Sequence, residues 1–245
     1  MTDEVTAHPE RVQRLFDDKA ATWSAKYAAH GRLADRLTQL ADAAGYHMTS
    51  GGQVLDLGCG SAELSRQLAA AGLRVTGCDI SANMLARAAA NDLTATVRLV
   101  QLAPGWRTLP FPAATFDAVV AASMLEYVSS PGEVLQECAR VLRPGRVILC
   151  TVPDPRHPIR WLEWLAGMAA RIPAVRAAGQ NWPRLGRYLM YLKISQQRRP
   201  AGWWSTTAAS AGLSTIPQPT GAAERSPLRL LRFQRLAAGS REDFQ

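Results

Sequence analysis

Asp56, Gly58, Gly60 and Asp79 are the residues of this chain whose types and spacing can do chemistry. Val54 to Leu57 is an apolar run that reads as a buried parallel strand. Gly58 and Gly60 then let the chain turn sharply and keep the space above it open, because neither carries a Cβ. A helical pattern follows, with Ser61 as its cap, and its first N–H groups face whatever binds there. Strand, turn and helix N-terminus together build a site at the carboxyl end of a strand, where open α/β sheets hold ligands. A dinucleotide loop would read G-x-G-x-x-G. Here the sixth position is Glu63, a carboxylate where a pyrophosphate needs uncharged backbone. Asp56, two residues before the first glycine, suits a ligand with an ammonium or sulfonium better than a diphosphate. Asp79 ends a second apolar run, Arg74 to Cys78, about 20 residues further on, where an acid can accept hydrogen bonds from both ribose hydroxyls.

At these residues the chain resembles the class I S-adenosylmethionine (SAM) dependent methyltransferases, of the small-molecule, methyltransferase-11-like type. Their first motif is an acid followed by G-x-G-x-G, and Ala62 stands in the third glycine's place. Phe116-Asp117 and the phrase Arg140-Val141-Leu142-Arg143-Pro144-Gly145 extend the resemblance over Val54 to Val152. It implies SAM as cofactor and a Rossmann-like, doubly wound α/β sheet of seven strands with an antiparallel last strand. Asp56, Gly58, Cys59, Gly60 and Asp79 would hold the amino-acid and ribose parts of SAM. Ile80 and Met84 would sandwich the adenine, with Tyr27, Leu102 and Ser123 completing the cofactor contacts. The run Gln101-Leu102-Ala103-Pro104-Gly105-Trp106 lacks the acid that the family usually carries after its third strand. Trp106 or backbone groups would then meet the adenine.

The elements that position these residues form one domain over 1–245. A helical lid is expected at 11–45, a SAM-binding core at 53–152, a helical substrate cap at 153–201, and a final helix with strands at 202–236. Within the lid, helices are expected over Arg11–His30 and Leu33–Ala44, the second stopped by Gly45. Phe16, Trp23 and Tyr27 either fold over the cofactor or simply anchor an amphipathic helix. The core continues with a helix over Ala62–Ala71, strands Thr96–Leu102 and Phe116–Ala122, a helix over Glu133–Leu142 and a strand Arg146–Val152 after the Arg143-Pro144-Gly145 turn. Beyond it, Trp161 begins a helix broken at Pro173, and a second runs Arg184–Ile194. A last helix, Trp203–Ala211, precedes a hairpin of Leu213–Ile216 and Leu228–Leu236, and Ala237–Gln245 reads as a disordered tail.

Composition narrows the function classes. The apolar fraction of 47% is ample for a core, and no run is long enough to span a bilayer. The polar stretch Met1 to Glu10 does not read as a signal peptide, so a cytoplasmic protein is expected. Cys59, Cys78, Cys138 and Cys150 form no Cys-x-x-Cys pair and read as buried free thiols; no metal is expected. The net charge of +8 gathers between Pro153 and Ala201, where nine basic residues face only Asp154 and Glu163. Trp161, Trp164, Trp182 and Tyr188 lie among these arginines and are expected to line an acceptor pocket.

Glu126, Tyr127 and His157 are the candidate catalytic residues, each able to take a proton from an acceptor; relatives often carry His where this chain has Glu126-Tyr127. Glu126 could equally be a helix-end charge, and His157 a loop histidine. The expected activity is in-line methyl transfer to O, N or C of a small organic acceptor, anionic or apolar-aromatic, such as a phenol, quinone or secondary metabolite, by a monomer or homodimer. RNA methylation through the basic aromatic insertion, peripheral membrane contact, and a non-catalytic SAM-binding partner are the rival readings. The absence of an Asn-Pro-Pro-Tyr-type loop and of a Pro-Cys nucleophile argues against DNA-base methylation.

Overall fold

The computed structural model describes residues 2–23, 34–91, 96–195, 197–217 and 226–237. Seven strands, β1 (Gln53–Leu57), β2 (Arg74–Asp79), β3 (Val97–Gln101), β4 (Phe116–Ala122), β5 (Leu142–Pro153), β6 (Leu213–Thr215) and β7 (Leu228–Arg235), form one sheet in the order β3-β2-β1-β4-β5-β7-β6. β1 to β5 are parallel, and β7 runs antiparallel to both β5 and β6. The order reverses between β1 and β4, which opens a crevice at their carboxyl ends. This is the doubly wound, Rossmann-like sheet with an antiparallel last strand that the motifs imply.

Alternation along each buried strand divides the core between the two faces. Leu55, Leu57, Val119, Ala121, Ile148 and Cys150 pack on one side with helices α5 (Pro131–Val141) and α9 (Ala201–Ser210). Val54, Val75, Ala118, Val120 and Leu149 pack on the other with α2 (Ala34–His47) and α3 (Glu63–Ala70). All four cysteines are free and buried. The remaining helices are α1 (Thr2–Trp23), α4 (Ala82–Ala89) and, between β5 and α9, α6 (Ile159–Ala169), α7 (Pro173–Asn181) and α8 (Pro183–Ile194).

Several boundaries differ from the pattern-based expectation. α1 begins at Thr2 and runs through Pro9 rather than starting at Arg11; the buried His8, donating to the Tyr127 carbonyl at 3.0 Å, anchors that extension. α2 continues past Gly45 to His47, because burial of Leu40, Ala43 and Ala44 outweighs the glycine's weak propensity. Pro173 opens a helix instead of only ending one, as proline does at a first helical position. β5 includes Arg143-Pro144-Gly145, with Gly145 at φ 75°. Pairing jumps there from Phe116–Leu142 to Ala118–Val147, so the expected turn is absorbed as a bulge. The end of the first expected helix and most of the tail fall outside the described residues.

Candidate active site

At the end of β1 the chain turns at Gly58 and Gly60, with φ of 77° and 56°. A Cβ at Gly58 would stand 2.6 Å from the Met124 Cβ, and one at Gly60 3.2 Å from the Trp23 Nε1. Gly58 therefore has no space for a side chain and Gly60 little, and both need glycine's backbone freedom. The Gly58 and Cys59 amides donate to the Cys78 carbonyl at 2.7 and 2.9 Å, which ties the loop to β2. Ser61 does not cap α3. Ala62 takes that place in a left-handed conformation, φ 63°, and the Ser61 hydroxyl, turned off the helix axis, donates to Glu63 Oε1 at 2.5 Å.

Two acids flank this loop. Asp79 Oδ2 accepts from the Gly60 amide and Oδ1 from the Ser81 amide, both at 2.8 Å, leaving lone pairs for a further donor on each oxygen. Burial lifts its carboxyl above the ordinary range against those amides. Asp56 is 1% exposed. Its Oδ2 accepts from the Ser65 hydroxyl at 2.6 Å, while the buried Oδ1 has no hydrogen-bond partner. Burial drives the Asp56 carboxyl up to about 7; the Ser65 hydrogen bond opposes it, and the charges of Asp79 and Glu63 add to it. A buried orphan oxygen is costly, and a cation placed opposite it removes that cost.

Both acids open onto a cavity of about 1450 Å³ that also reaches Met124, Glu126 and the inner side of α6. Pockets for one small ligand are commonly about 300–1,000 Å³, so there is room for two molecules. α1 roofs it with Phe16 and Trp23. The helix is held there by Gln13 donating to the Ile80 carbonyl at 3.1 Å, and by Asp17 Oδ1 accepting from the Ser81 hydroxyl at 2.5 Å. Phe16 meets Trp23 and Tyr127 edge-on, with centroids 5.5 and 5.1 Å apart. Trp23 thus packs on Phe16 of its own helix and forms part of the roof.

The far end mixes rings and charges. Glu126 is buried and accepts from the Ser195 hydroxyl at 2.6 Å. Arg160 Nη1 donates to Glu163 Oε2 at 2.6 Å, and Arg198 Nη1 lies 3.1 Å from the same oxygen. Arg36 reaches across from α2 to donate to the Ser123 hydroxyl at 3.0 Å, where β4 ends in a left-handed residue of φ 56°.

Of the residues singled out from the sequence, Asp56, Gly58, Cys59, Gly60, Asp79, Ile80, Leu102, Ser123, Glu126, Tyr127 and Trp106 all line this one cavity. Tyr27 lies outside the described residues. Met84 is wholly buried in α4 and absent from the wall, so it does not face Ile80 across the cavity. His157 is not on the wall either; its Nδ1 accepts from the Ile159 amide at 3.2 Å, at the start of α6. Trp161, Trp164, Trp182 and Tyr188 are 64%, 58%, 67% and 41% exposed, and none of them lines the cavity. The cap turns Ile159, Arg160, Glu163 and Tyr191 inward instead. Nothing in the spacing of Arg36, Arg160 or Tyr191 marks them as cavity residues; the fold alone brings them there.

Residues 55–150 match the family model described as a methyltransferase domain. The chain is 33% identical to 27-O-demethylrifamycin SV methyltransferase of Amycolatopsis mediterranei (strain S699), over 86% of this chain and 72% of the relative. The chain belongs to the class I SAM-dependent methyltransferases. It is likewise 31% identical to the demethylmenaquinone methyltransferase of Parafrankia sp. (strain EAN1pec), over 80% of this chain and 87% of that protein. A solved structure of a Haloferax volcanii putative methyltransferase, in complex with the Trm112 methyltransferase activator, shares the fold at a TM-score of 0.63 and 22% identity, covering 91% of this chain and 98% of that one. This methyltransferase is an enzyme that uses SAM, and its residues fit that cofactor. The orphan Asp56 oxygen lacks a partner that a cation would supply, Gly58 and Gly60 put bare backbone on the cavity wall, and Asp79 has acceptor capacity that a ribose would use.

Proposed function

We propose that this enzyme methylates a hydroxyl of a largely apolar, aromatic or quinoid small molecule, with Glu126 taking the acceptor's proton. Bound SAM supplies the activated methyl on its sulfonium. The observation that carries the proposal is the buried Glu126 carboxylate, on the cavity wall just past β4 and next to the rings of Tyr127, Phe16 and Tyr191. Burial raises its carboxyl above the ordinary glutamate range, against the Ser195 hydroxyl and then the charges of Arg160, Arg198 and Arg36. A raised carboxylate is the stronger base, closer to the working pH. Tyr127 cannot share that role at neutral pH, because burial and then the Glu126 charge push its phenol well above 10. It is a donor.

The surrounding rings hold a flat acceptor while the α1 roof excludes water, and such positioning supplies much of the rate in a displacement between two bound molecules. One relative is named for a 27-O-demethyl substrate, which agrees with an oxygen acceptor, and the other for demethylmenaquinone, which agrees with a quinoid ring. The test is transfer from methyl-labelled SAM to a panel of hydroquinones, naphthoquinols and polyketide phenols. Label should enter the hydroxylated members, and Glu126→Gln should lower kcat on the order of 100-fold while SAM affinity holds. Because only the ionised carboxylate accepts a proton, kcat should fall as pH drops through a value above the ordinary glutamate range. A variant with wild-type kcat, or a panel in which no hydroxyl is labelled, would defeat the assignment.

A further inference from the structure

We propose that the outer face of the α6–α8 cap docks on a lipid bilayer surface rich in anionic headgroups. Of the twelve large apolar side chains exposed among the described residues, ten lie between Ile159 and Met190, and all of these but Ile159 stand off the cavity wall. Along α6, Trp161, Trp164, Leu165 and Met168 recur at the spacing of a single helix face, and all are at least 39% exposed. Ile172 at 53% and Trp182 at 67% extend the apolar surface to both ends of α7. An unpartnered apolar surface on this scale marks an interaction site rather than ordinary surface scatter.

Charge identifies the occupant. The cap's two acids are both consumed internally: Glu163 is buried against Arg160 and Arg198, and Asp154 pairs with Arg229 of β7 at 3.2 Å. Arg171, Arg184, Arg187 and Lys193 remain exposed around the apolar side chains. Tryptophan, long cations and aliphatic side chains on one surface match the layered chemistry of a bilayer interface, where rings sit at headgroup depth and cations meet lipid phosphates. A second copy of the chain would bring like charge against like. RNA would use the rings and cations but gain nothing from Leu162, Leu165, Met168 and Ile172. The opposite side of α6 carries Ile159, Arg160 and Glu163 on the cavity wall, so docking would set the acceptor end beside the apolar phase. The docking inference does not depend on which acceptor is methylated.

The experiment is sedimentation of the full chain with vesicles of phosphatidylcholine alone, or of phosphatidylcholine and phosphatidylglycerol in equal parts. Binding should strengthen at least about tenfold on the anionic vesicles and weaken with salt, since each interfacial cation contributes to attraction. Arg184→Glu with Arg187→Glu should abolish that gain, and Trp161→Ala with Trp164→Ala should weaken binding to both vesicle types. Neither pair touches the cavity, so SAM affinity should stay at its wild-type value, separating lost docking from lost fold. Equal binding to both vesicle types, or retention of single-stranded RNA with no vesicle binding, would overturn the proposal.

Discussion

Replacing Asp56 by Asn should move stability and cofactor affinity in opposite directions, which a general structural defect cannot do. The wild-type carboxyl sits near 7 in the folded chain against 3.8 ordinarily. A raised acid favours its neutral form on folding, so its contribution is full below 3.8 and is lost as pH rises to about 7. Holding the charge above that pH costs about 3 units at 1.36 kcal/mol each, or about 4 kcal/mol. Asparagine keeps an acceptor for the Ser65 hydroxyl and carries no charge. Its amide, placed where Oδ1 is now, costs about 1–3 kcal/mol while unpaired. The balance is a gain of about 1–3 kcal/mol at pH near 8, or roughly 2–10 °C in Tm for a chain of this size, shrinking toward pH 5.

With SAM's ammonium placed opposite Asp56, as its orphan oxygen suggests, the same substitution deletes that cation's negative partner. Removing one member of a desolvated charge pair costs on the order of 2–4 kcal/mol, or roughly 30- to 1000-fold in Kd. In the wild type, SAM should bind more tightly and release fewer protons as pH rises from about 6 to about 7.5, because only the ionised acid meets the cation. The variant should show no such slope. Thermal scans without ligand at two pH values, with calorimetric titration of SAM, read both effects. A variant less stable at pH near 8 yet unchanged in SAM affinity would refute the placement of Asp56 as the cation's partner.

Two further outcomes follow from the backbone and the core. Ala62→Gly relieves a left-handed alanine, φ 63°, worth about 1–2 kcal/mol, against a glycine entropy cost of about 0.5–1. Tm should rise by roughly 1–3 °C with kcat unchanged, and a fall would show that the buried Ala62 methyl outweighs the strain. Arg140 donates to both Glu137 oxygens at 2.8 Å and to the carbonyls of Phe111 and Leu109 at 2.8 and 3.0 Å. Arg140→Leu should therefore cost about 2–3 kcal/mol in denaturant unfolding. The Arg140 hydrogen bond holds the Glu137 carboxyl below its usual range. That part of the stability is present above the ordinary glutamate pKa and disappears as pH falls through the depressed one, so the gap between variant and wild type should narrow in acid.

The cofactor half of the site was legible because its signals are local. A buried strand, an acid at its tip and two glycines in a turn are neighbours in sequence, so Asp56, Gly58 and Gly60 came with their geometry attached. Asp79 followed from one helix-and-strand repeat. The acceptor half was not legible, because its wall is assembled from α1, α2, the turn after β4, α6 and α8, which only tertiary packing brings together. Periodicity shows which residues of a helix share a face and is silent on which face turns inward. The expectation that the cap tryptophans line the pocket assumed that apolar means inward. In α6 the inward face carries Arg160 and Glu163, which neutralise each other at 2.6 Å with Arg198 as a third partner. That ion cluster lets a polar face be buried, since each charge keeps a partner out of water. Once the polar side is accommodated inside, the apolar side has nowhere to go but out. The inverted polarity of α6 is thus one feature with two consequences, a charged stretch of cavity wall and an exposed apolar surface, the one proposed to meet a bilayer.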